Sequence, residues 1–319
     1  MLRLGEVPTP ELPGPSHLRV RLKAAGVNPV DTKLRKNGTY FPERLPTILG
    51  CDGAGVVESA GAAVTRFKAG DEVYFCHGGI GGAPGNYAEY TVIHEDYAAA
   101  KPKNLSFAQA AAVPLVLITA WEALFDRVAL QTGQTVLIHA AAGGVGHVAV
   151  QLARHRGARV AATVSTPEKG QLAQRLGAEK IIDYHREDFV QAALAWTDGQ
   201  GVDALFDTVG AATFCRSFAA ARVYGKIVTL LQSECVAAEL KLARTRNQSI
   251  HYELMLTPMY LGMHDALIAQ RRILEQGASL IEQGQLEILV NRTFPLEQAA
   301  AAHLLIEEGH TAGKIVLEI

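Results

Sequence analysis

Thr135-Val-Leu-Ile138, His139-Ala-Ala-Ala-Gly143-Gly144-Val-Gly146 and His147-Val-Ala-Val-Gln-Leu-Ala153 are three consecutive segments that organise the chain. Four β-favouring residues lead into a glycine turn, and the apolar residues after the turn recur at the i, i+4 spacing of a helix. A strand, a glycine turn and a helix start form a cradle for dinucleotide phosphates, which the free N–H groups and partial positive charge of a helix N-terminus attract. The predicted cradle residues are Ala141, Gly143, Gly144, Val145 and Gly146. The alternative is an ordinary glycine turn in a β–α unit.

Strands and helices alternate beyond this stretch. The further predicted strands are Arg159–Ser165, Lys180–Asp183, Val202–Asp207 and Gly225–Thr229. Between the first two, Ser165-Thr-Pro-Glu168 has the pattern of a capping box, and the helix that follows should stop at Gly177. This alternation predicts an α/β protein with a parallel, doubly wound sheet that binds its ligand at the carboxyl ends of the strands.

The rest of the chain has a different character. Short predicted strands separated by Gly and Pro fill the first third and indicate a small β-barrel-like domain; they are 17–23, a glycine-rich bend into a strand at 46–58, 70–75 and 87–92. Residues 106–125 become helical, and the tail contains predicted strands at 249–254, 286–290 and 314–319 around helices at 265–277 and 296–309. We expect a discontinuous domain of residues 1–112 and 253–319, and a dinucleotide-binding domain of residues 113–252.

Composition limits the classes of function. The 319 residues carry a formal net charge of −2, which argues against a nucleic-acid or membrane surface as the main partner. The N-terminus has no apolar signal-peptide core, and the most apolar run, 110–121, is too short to span a bilayer. The 4 cysteines are far apart in sequence and form no CxxC pair, which favours a reducing compartment. These features predict a soluble, cytoplasmic protein.

Several motifs occur in a familiar order: Ala-Gly-Val-Asn28-Pro-Val-Asp31, Leu-Gly-Cys-Asp-Gly-Ala-Gly-Val-Val (49–57), Gly-Asp-Glu-Val (70–73), Tyr-Ala-Glu-Tyr (87–90), Thr119-Ala-Trp-Glu-Ala-Leu and the glycine cradle. The chain resembles the medium-chain dehydrogenase/reductase superfamily and, within it, the zinc-independent, zeta-crystallin-like quinone oxidoreductases. The resemblance implies a GroES-like β-barrel domain, completed by the C-terminal tail, and a Rossmann domain. Relatives usually have one more strand before a segment like 2–8, so we expect the barrel's first strand to be missing or replaced.

The resemblance also bears on metal and cofactor. Zinc-containing relatives have Cys and a His-Glu pair where this chain has Asn28, Cys51 and Asp52, and a catalytic zinc needs three protein ligands. We therefore expect no metal.

NAD-binding relatives carry an acid ~20 residues beyond the glycines, where this chain has Val164 followed by Ser165. Lys169 and Tyr184 match residues that hold the NADP phosphate, so the predicted cofactor is NADPH. The alternatives are a solvated helix lysine and a loop aromatic.

At the reaction centre, Asn28 and Thr119 match positions near the nicotinamide and substrate, and Val209 matches a position beside the cofactor. An asparagine N–H can stabilise negative charge that develops on an acceptor oxygen; alternatively, Asn28 caps a turn and Val209 is a core valine. Asp31, His139 and His147 are expected to be structural.

The predicted function is NADPH-dependent, zinc-free transfer of hydride to quinones or similar electron-poor carbonyls and alkenes. The first alternative is an enoyl or 2-alkenal double-bond reductase. The second is a nucleotide-binding, crystallin-like or RNA-binding protein with little turnover. The resemblance and the apolar segment 249–254 predict a homodimer, because an exposed strand edge can pair with its copy.

Overall fold

The computed structural model describes residues 2–319, and Met1, the first residue of the predicted first domain, lies outside them. The chain divides into two compact units, one up to Ile118 together with Leu256–Ile319, the other Thr119–Met255. Among the described residues, no helix is both long and apolar enough to cross a membrane.

The strands, in chain order, are His17–Val27 (β1), Asp52–Ala60 (β2), Glu72–Cys76 (β3), Tyr90–His94 (β4), Ala99–Ala100 (β5), Thr135–Ile138 (β6), Arg159–Val164 (β7), Lys180–Asp183 (β8), Val202–Asp207 (β9), Ala221–Thr229 (β10), Ser249–Tyr252 (β11), Val290–Pro295 (β12) and Lys314–Glu318 (β13). The α-helices are Pro29–Asn37 (α1), Phe107–Ala111 (α2), Pro114–Trp121 (α3), Gly146–His155 (α4), Pro167–Leu176 (α5), Phe189–Trp196 (α6), Ala211–Ala220 (α7), Ala237–Thr245 (α8), Thr257–Leu261 (α9), His264–Glu282 (α10) and Ala299–Glu307 (α11).

The first unit contains a 7-stranded, mainly antiparallel sheet in the order β12-β13-β1-β2-β3-β5, with β4 also paired to β1. The long strand β1 pairs with β2, β4 and β13. Bulges at Arg19/Val20 and Leu22/Ala24 bend β1, which lets it pair with different strands along its length. Alternate residues of β1, including Leu18, Val20 and Leu22, enter the barrel core. The tail strand β13 pairs with β1, so this sheet is built from both ends of the chain. Residues 2–14 contain no strand.

The second unit contains a 6-stranded parallel sheet in the order β11-β10-β9-β6-β7-β8. Counted from β6, this is the strand order of a Rossmann fold, whose switch point lies between β6 and β9. The predicted fold class, a GroES-like domain with a Rossmann domain, is thus confirmed. Apolar side chains of the sheet and of α6 and α7, such as Leu205, Phe189 and Phe218, form the core on one face.

Three local predictions need correction. The strand expected at 286–290 lies further on as β12, because pairing with β13 begins only at Val290, although Leu286 and Ile288 are buried. The cap of α5 is Thr166 rather than Ser165, since Thr166 has the extended backbone that Pro167 requires of its predecessor, and its hydroxyl accepts the Lys169 N–H. The helix expected over 106–125 is interrupted before Pro114 and passes into a π-helical turn, Glu122–Arg127.

Candidate active site

The glycine turn joins β6 to α4 at the carboxyl edge of the parallel sheet. Gly143 donates its N–H to the Ala140 carbonyl at 2.8 Å, which closes the turn. A Cβ at Gly146 would lie 2.3 Å from the same carbonyl oxygen, so only glycine allows this close approach of helix and turn. Val145 precedes the helix and cannot cap it, because its side chain has no hydrogen-bond acceptor. The His147 N–H already donates to the Gly143 carbonyl at 3.0 Å, and the partial positive charge of the α4 N-terminus is the feature that suits a phosphate.

Two histidines flank the turn, and both have the structural roles that the sequence indicated. The His139 ring is buried between the hydroxyls of Thr163 and Ser217, at 3.1 and 3.0 Å. Burial lowers the pKa of His139 to about 4, so the ring is neutral at physiological pH. His147 Nδ1 lies 2.9 Å from the Gly143 carbonyl oxygen and braces the turn from the helix side.

A basic and hydroxylic group forms where β7 and β8 end. The Lys169 ammonium donates to the Ser165 hydroxyl at 3.1 Å. The parallel register pairs Val164 with Asp183, so Tyr184 follows β8 beside Ser165, and its N–H donates to the Val164 carbonyl at 3.2 Å. Tyr184 is 47% exposed. The structure thus places Lys169 and Tyr184, which the resemblance matched to the 2′-phosphate, next to the predicted cofactor residue Ser165.

A cavity of about 570 Å³ opens at the same edge of the sheet. Its lining includes the predicted residues Tyr184 and Val209, and Val209 is 45% exposed rather than a core valine. It also includes residues that the sequence did not single out: Thr163, Arg186, Thr213 and Arg216. Thr163 and Arg186 lie within two residues of the predicted Ser165 and Tyr184, whereas only the strand order brings Thr213 and Arg216 of α7 to this edge.

In the first unit, Asn28 lies at the start of α1 in a buried polar cluster. The Asn28 side chain is 0% exposed; its Nδ2 donates to Asp52 Oδ2 at 2.9 Å, and its Oδ1 accepts a short hydrogen bond from the Lys314 ammonium. Lys314 Nζ also donates to the Val27 carbonyl at 3.1 Å. Sequence analysis missed Lys314, whose only signal was a lysine at the start of the apolar strand β13. Thr119, in the second unit, is buried on α3.

Asp31 has the structural role predicted for it. Its Oδ2 accepts the Asn28 N–H at 2.8 Å, which caps α1, and the Tyr87 hydroxyl at 3.0 Å. Complete burial raises the pKa of Asp31 to about 7.

The residues at the zinc positions of relatives do not form a zinc-binding set here. Both polar ends of the Asn28 amide are engaged, and Lys314 Nζ lies 3.7 Å from Asp52 Oδ2, where its positive charge opposes a second cation. Burial raises the pKa of the Cys51 thiol, which disfavours the thiolate that zinc requires. Cys51 is a small buried residue, and no step of a mechanism follows from zinc at this site.

The cysteines require a correction. Cys215 on α7 and Cys235 after β10 form a disulfide with a Cα–Cα distance of 5.4 Å, although the sequence suggested separate thiols. Their sequence separation of 20 carries no information on pairing, because the β9–α7–β10 connection folds back and brings them together. Cys51 and Cys76 are free and buried.

Comparison with known proteins agrees with this architecture. Residues 14–103 match the alcohol dehydrogenase GroES-like domain, and residues 176–317 match the zinc-binding dehydrogenase model. The quinone oxidoreductase of Pseudomonas aeruginosa is 36% identical over 97% of this chain and 93% of that protein. A 2-haloacrylate reductase of a Burkholderia species is 33% identical over 96% and 91%. The structure of Escherichia coli quinone oxidoreductase complexed with NADPH has a TM-score of 0.85 at 31% identity, covering 98% of this chain and 95% of that chain.

The fold and the glycine cradle define a dinucleotide-binding protein with a GroES-like unit. The chain belongs to the medium-chain dehydrogenase/reductase superfamily, in its quinone oxidoreductase branch.

Proposed function

We propose that this protein is an NADPH-dependent reductase that transfers hydride to quinones or similar electron-poor carbonyls and alkenes. The observation that carries the proposal is the Lys169–Ser165–Tyr184 group beside the glycine cradle, at a β7 end that carries no carboxylate. The similarity to quinone oxidoreductases, including one complexed with NADPH, supports the choice of cofactor and acceptor.

The residues of the second unit fit NADPH. The turn at 141–146 would hold the pyrophosphate through N–H groups, and Ser165, Lys169 and Tyr184 would hold the 2′-phosphate through charge-assisted and hydroxyl contacts. When bound, NADPH supplies the hydride. Val209 would shape the cofactor site by contact alone, whereas Arg186 and Arg216 add positive charge to the same cavity.

At the acceptor, we assign Asn28 as the donor to the oxygen that gains negative charge and Thr119 as the residue that positions ring or substrate. Both side chains are buried. We also propose two domains. Residues 1–112 together with 253–319 form the domain that holds the substrate, and residues 113–252 form the dinucleotide-binding domain.

We propose that the reaction uses no metal, because Lys314 takes the place of a metal's charge beside Asp52.

We also propose a homodimer formed through β11, which is an edge strand of the parallel sheet. We propose the cytoplasm as the compartment because the enzyme would draw on NADPH; the Cys215–Cys235 disulfide removes the support from separate thiols. With a net charge of −2, no nucleic-acid or membrane partner is proposed.

The test is a panel assay of NADPH and NADH oxidation with quinones, 2-alkenals, enones and 2-haloacrylate, with and without a chelator. We expect quinones to be reduced with NADPH, at a rate that the chelator leaves unchanged. Preference for alkenals or haloacrylate would favour the double-bond reductase, which the 2-haloacrylate reductase relative supports. Binding of NADPH without turnover of any acceptor would contradict an enzymatic role and favour a nucleotide-binding protein.

A further inference from the structure

The Cys215–Cys235 disulfide joins two segments that meet at the carboxyl edge of the parallel sheet. Cys215 lies on α7, the helix that follows β9 and Val209, and Cys235 lies in residues 230–236, the connection from β10 to α8. We call residues 230–236 the clamp segment. It bends at residues 230 and 231, and residues 232–236 have no regular secondary structure.

Helix α7 presents two different sides around this bond. Thr213 and Arg216 line the cavity that also contains Val209 and Tyr184, whereas Cys215 is bonded to the clamp segment. The start of α7 is therefore shared between the proposed cofactor site and the disulfide. A change in the clamp segment can reach Arg216 through this short helix, and Val209 through its neighbour Gly210.

Other contacts also hold the clamp segment near α7, among them the packing of Cys235 against the core that includes Phe214 and Phe218. The Ser233 hydroxyl accepts the Ala211 N–H at 2.8 Å. The Leu231 side chain covers Gly210, where an added Cβ would lie 2.9 Å from it. Thr229 anchors the base of the segment by donating to Asp207 Oδ2 at 2.6 Å. Between Ser233 and α8, the disulfide is the covalent constraint.

The disulfide can be reached from solvent at one end. Cys215 is 3% exposed, whereas Cys235 is only partly buried. An attacking thiolate would therefore approach the sulfur of Cys235 and release Cys215. Partly exposed disulfides are the ones that exchange with thiols, while fully buried ones resist reduction.

We propose that Cys215–Cys235 is a thiol-exchange site through which a dithiol reductant controls affinity for NADPH. The dithiol thiolate attacks Cys235 Sγ, the S–S bond breaks, and Cys215 leaves as a thiolate that takes a proton. The second thiol of the reductant then resolves the mixed disulfide. Two electrons and two protons pass to the cysteines, and the dithiol becomes a cyclic disulfide. Reduction frees the clamp segment, so the arrangement of α7 that binds cofactor is populated less.

This inference rests on the proposed function, and the experiment separates the two. The dissociation constant of NADPH is measured by fluorescence titration on the full chain, air-oxidised and after reduction by dithiothreitol. If reduction leaves the clamp segment in place about one tenth of the time, NADPH binds about tenfold more weakly. The variants Cys215→Ser and Cys235→Ser should bind NADPH as weakly as the reduced protein does, and dithiothreitol should not change their affinity. Cys76→Ala, which removes a buried thiol of the other unit, should respond as the wild type does.

Equal NADPH affinity in both redox states of the wild type would overturn the thiol-exchange site and leave the proposed function standing. Thiol titration that finds 4 free cysteines in the air-oxidised protein would also overturn it, because the structure has only 2. Failure of both forms to bind NADPH would instead contradict the proposed function.

Discussion

At the scale of single residues, the clearest assignment is the cation at the end of β7. Lys169 approaches Ser165 from the first turn of α5, where the partial positive charge of the helix N-terminus would also attract a phosphate. A phosphate contact made by a charged donor contributes more than a neutral hydrogen bond. The same lysine has no comparable partner in NADH, which lacks the 2′-phosphate.

Lys169→Ala should therefore weaken NADPH binding about tenfold or more, since loss of a charged hydrogen bond costs ~1.5–3 kcal/mol, and should leave NADH binding almost unchanged. The measurement is a fluorescence titration with each cofactor. Arg175→Ala removes a positive charge from the far end of the same helix and should change neither. Equal weakening by the two variants would mean that net charge alone matters.

The two hydrogen-bond partners of Asn28 fix the orientation of its side-chain amide. Lys314 offers only donors and therefore faces the amide oxygen, whereas Asp52 receives the amide N–H. If the amide were flipped, its NH2 group would face the Lys314 ammonium and its oxygen would face the Asp52 carboxylate. The amide nitrogen carries a second hydrogen, and Asp52 is the one side-chain partner that it meets among the described residues. That hydrogen is the proposed donor to the acceptor oxygen.

Asn28→Ala should lower kcat about 10²-fold, as loss of an oxyanion donor does, with little change in NADPH affinity. It should also lower stability, because Lys314 and Asp52 lose a partner. Asn86→Ala is the matched control: Asn86 is a buried asparagine whose Nδ2 donates to three backbone carbonyls. If both variants lose stability but only Asn28→Ala loses kcat, the amide acts in catalysis. Similar kcat losses would make Asn28 purely structural.

Asp31 predicts a dependence of stability on pH. Its pKa is about 7 in the folded protein and 3.8 ordinarily, so the folded state binds its proton more tightly. The stabilisation is complete below pH 3.8 and is lost as pH rises through 7. Asp31→Asn keeps an acceptor for the Asn28 N–H but does not ionise. Its stability relative to wild type, from urea unfolding, should rise between pH 4 and 7; a constant difference would contradict the raised pKa.

At the scale of elements, the junction of β6 and α4 depends on how closely the helix approaches the turn. The Ala140 carbonyl lies 2.3 Å from a Cβ built at Gly146 but 3.1 Å from one built at Gly143. A side chain at Gly146 must push α4 away from the turn, and the helix N–H groups would move with it. At Gly143 a smaller adjustment suffices.

Gly146→Ala should destabilise the protein by ~1–3 kcal/mol, as overpacking does, and abolish detectable NADPH binding. Gly143→Ala at the same turn should have a smaller effect on both. Thermal unfolding and cofactor titration give the two readouts. Wild-type NADPH affinity in Gly146→Ala would exclude this turn as the phosphate cradle.

At the scale of the whole molecule, the edge of the parallel sheet at β11 is the surface through which we propose that two copies pair. β11 ends the sheet and carries exposed apolar side chains, Ile250 at 37% and Tyr252 at 61%, with Leu254 just beyond at 48%. Proteins protect such edges, and a second copy about a two-fold axis is the simplest cover.

Ile250→Lys should convert the proposed dimer to monomer, since the ammonium would be buried at the interface. Light scattering at micromolar concentration measures the mass. Leu304→Lys, an exposed leucine on α11 of the other unit, should leave the mass unchanged. A wild-type mass equal to that of one chain would contradict the dimer.

The sequence by itself determined the parallel-sheet fold class and the glycine turn between β6 and α4, because both depend on local patterns. Alternating apolar runs, a glycine turn and a helix start act over a few residues, and β6, β8 and β9 begin and end where the pattern places them. Lys169 and Ser165 are one helical turn apart, so their proximity also follows from spacing. The missed cap at Thr166 was an error of one residue within the same local pattern.

Only the tertiary structure decided which distant residues share a site. Lys314 meets Asn28 because β13 returns to pair with β1, and Cys215 meets Cys235 because β10 folds back beside β9. Arg216 reaches the cavity through strand order rather than through any motif. Such contacts join residues that are far apart in sequence. Burial of the two apolar cores decides which of them form, and neither composition nor periodicity contains that information.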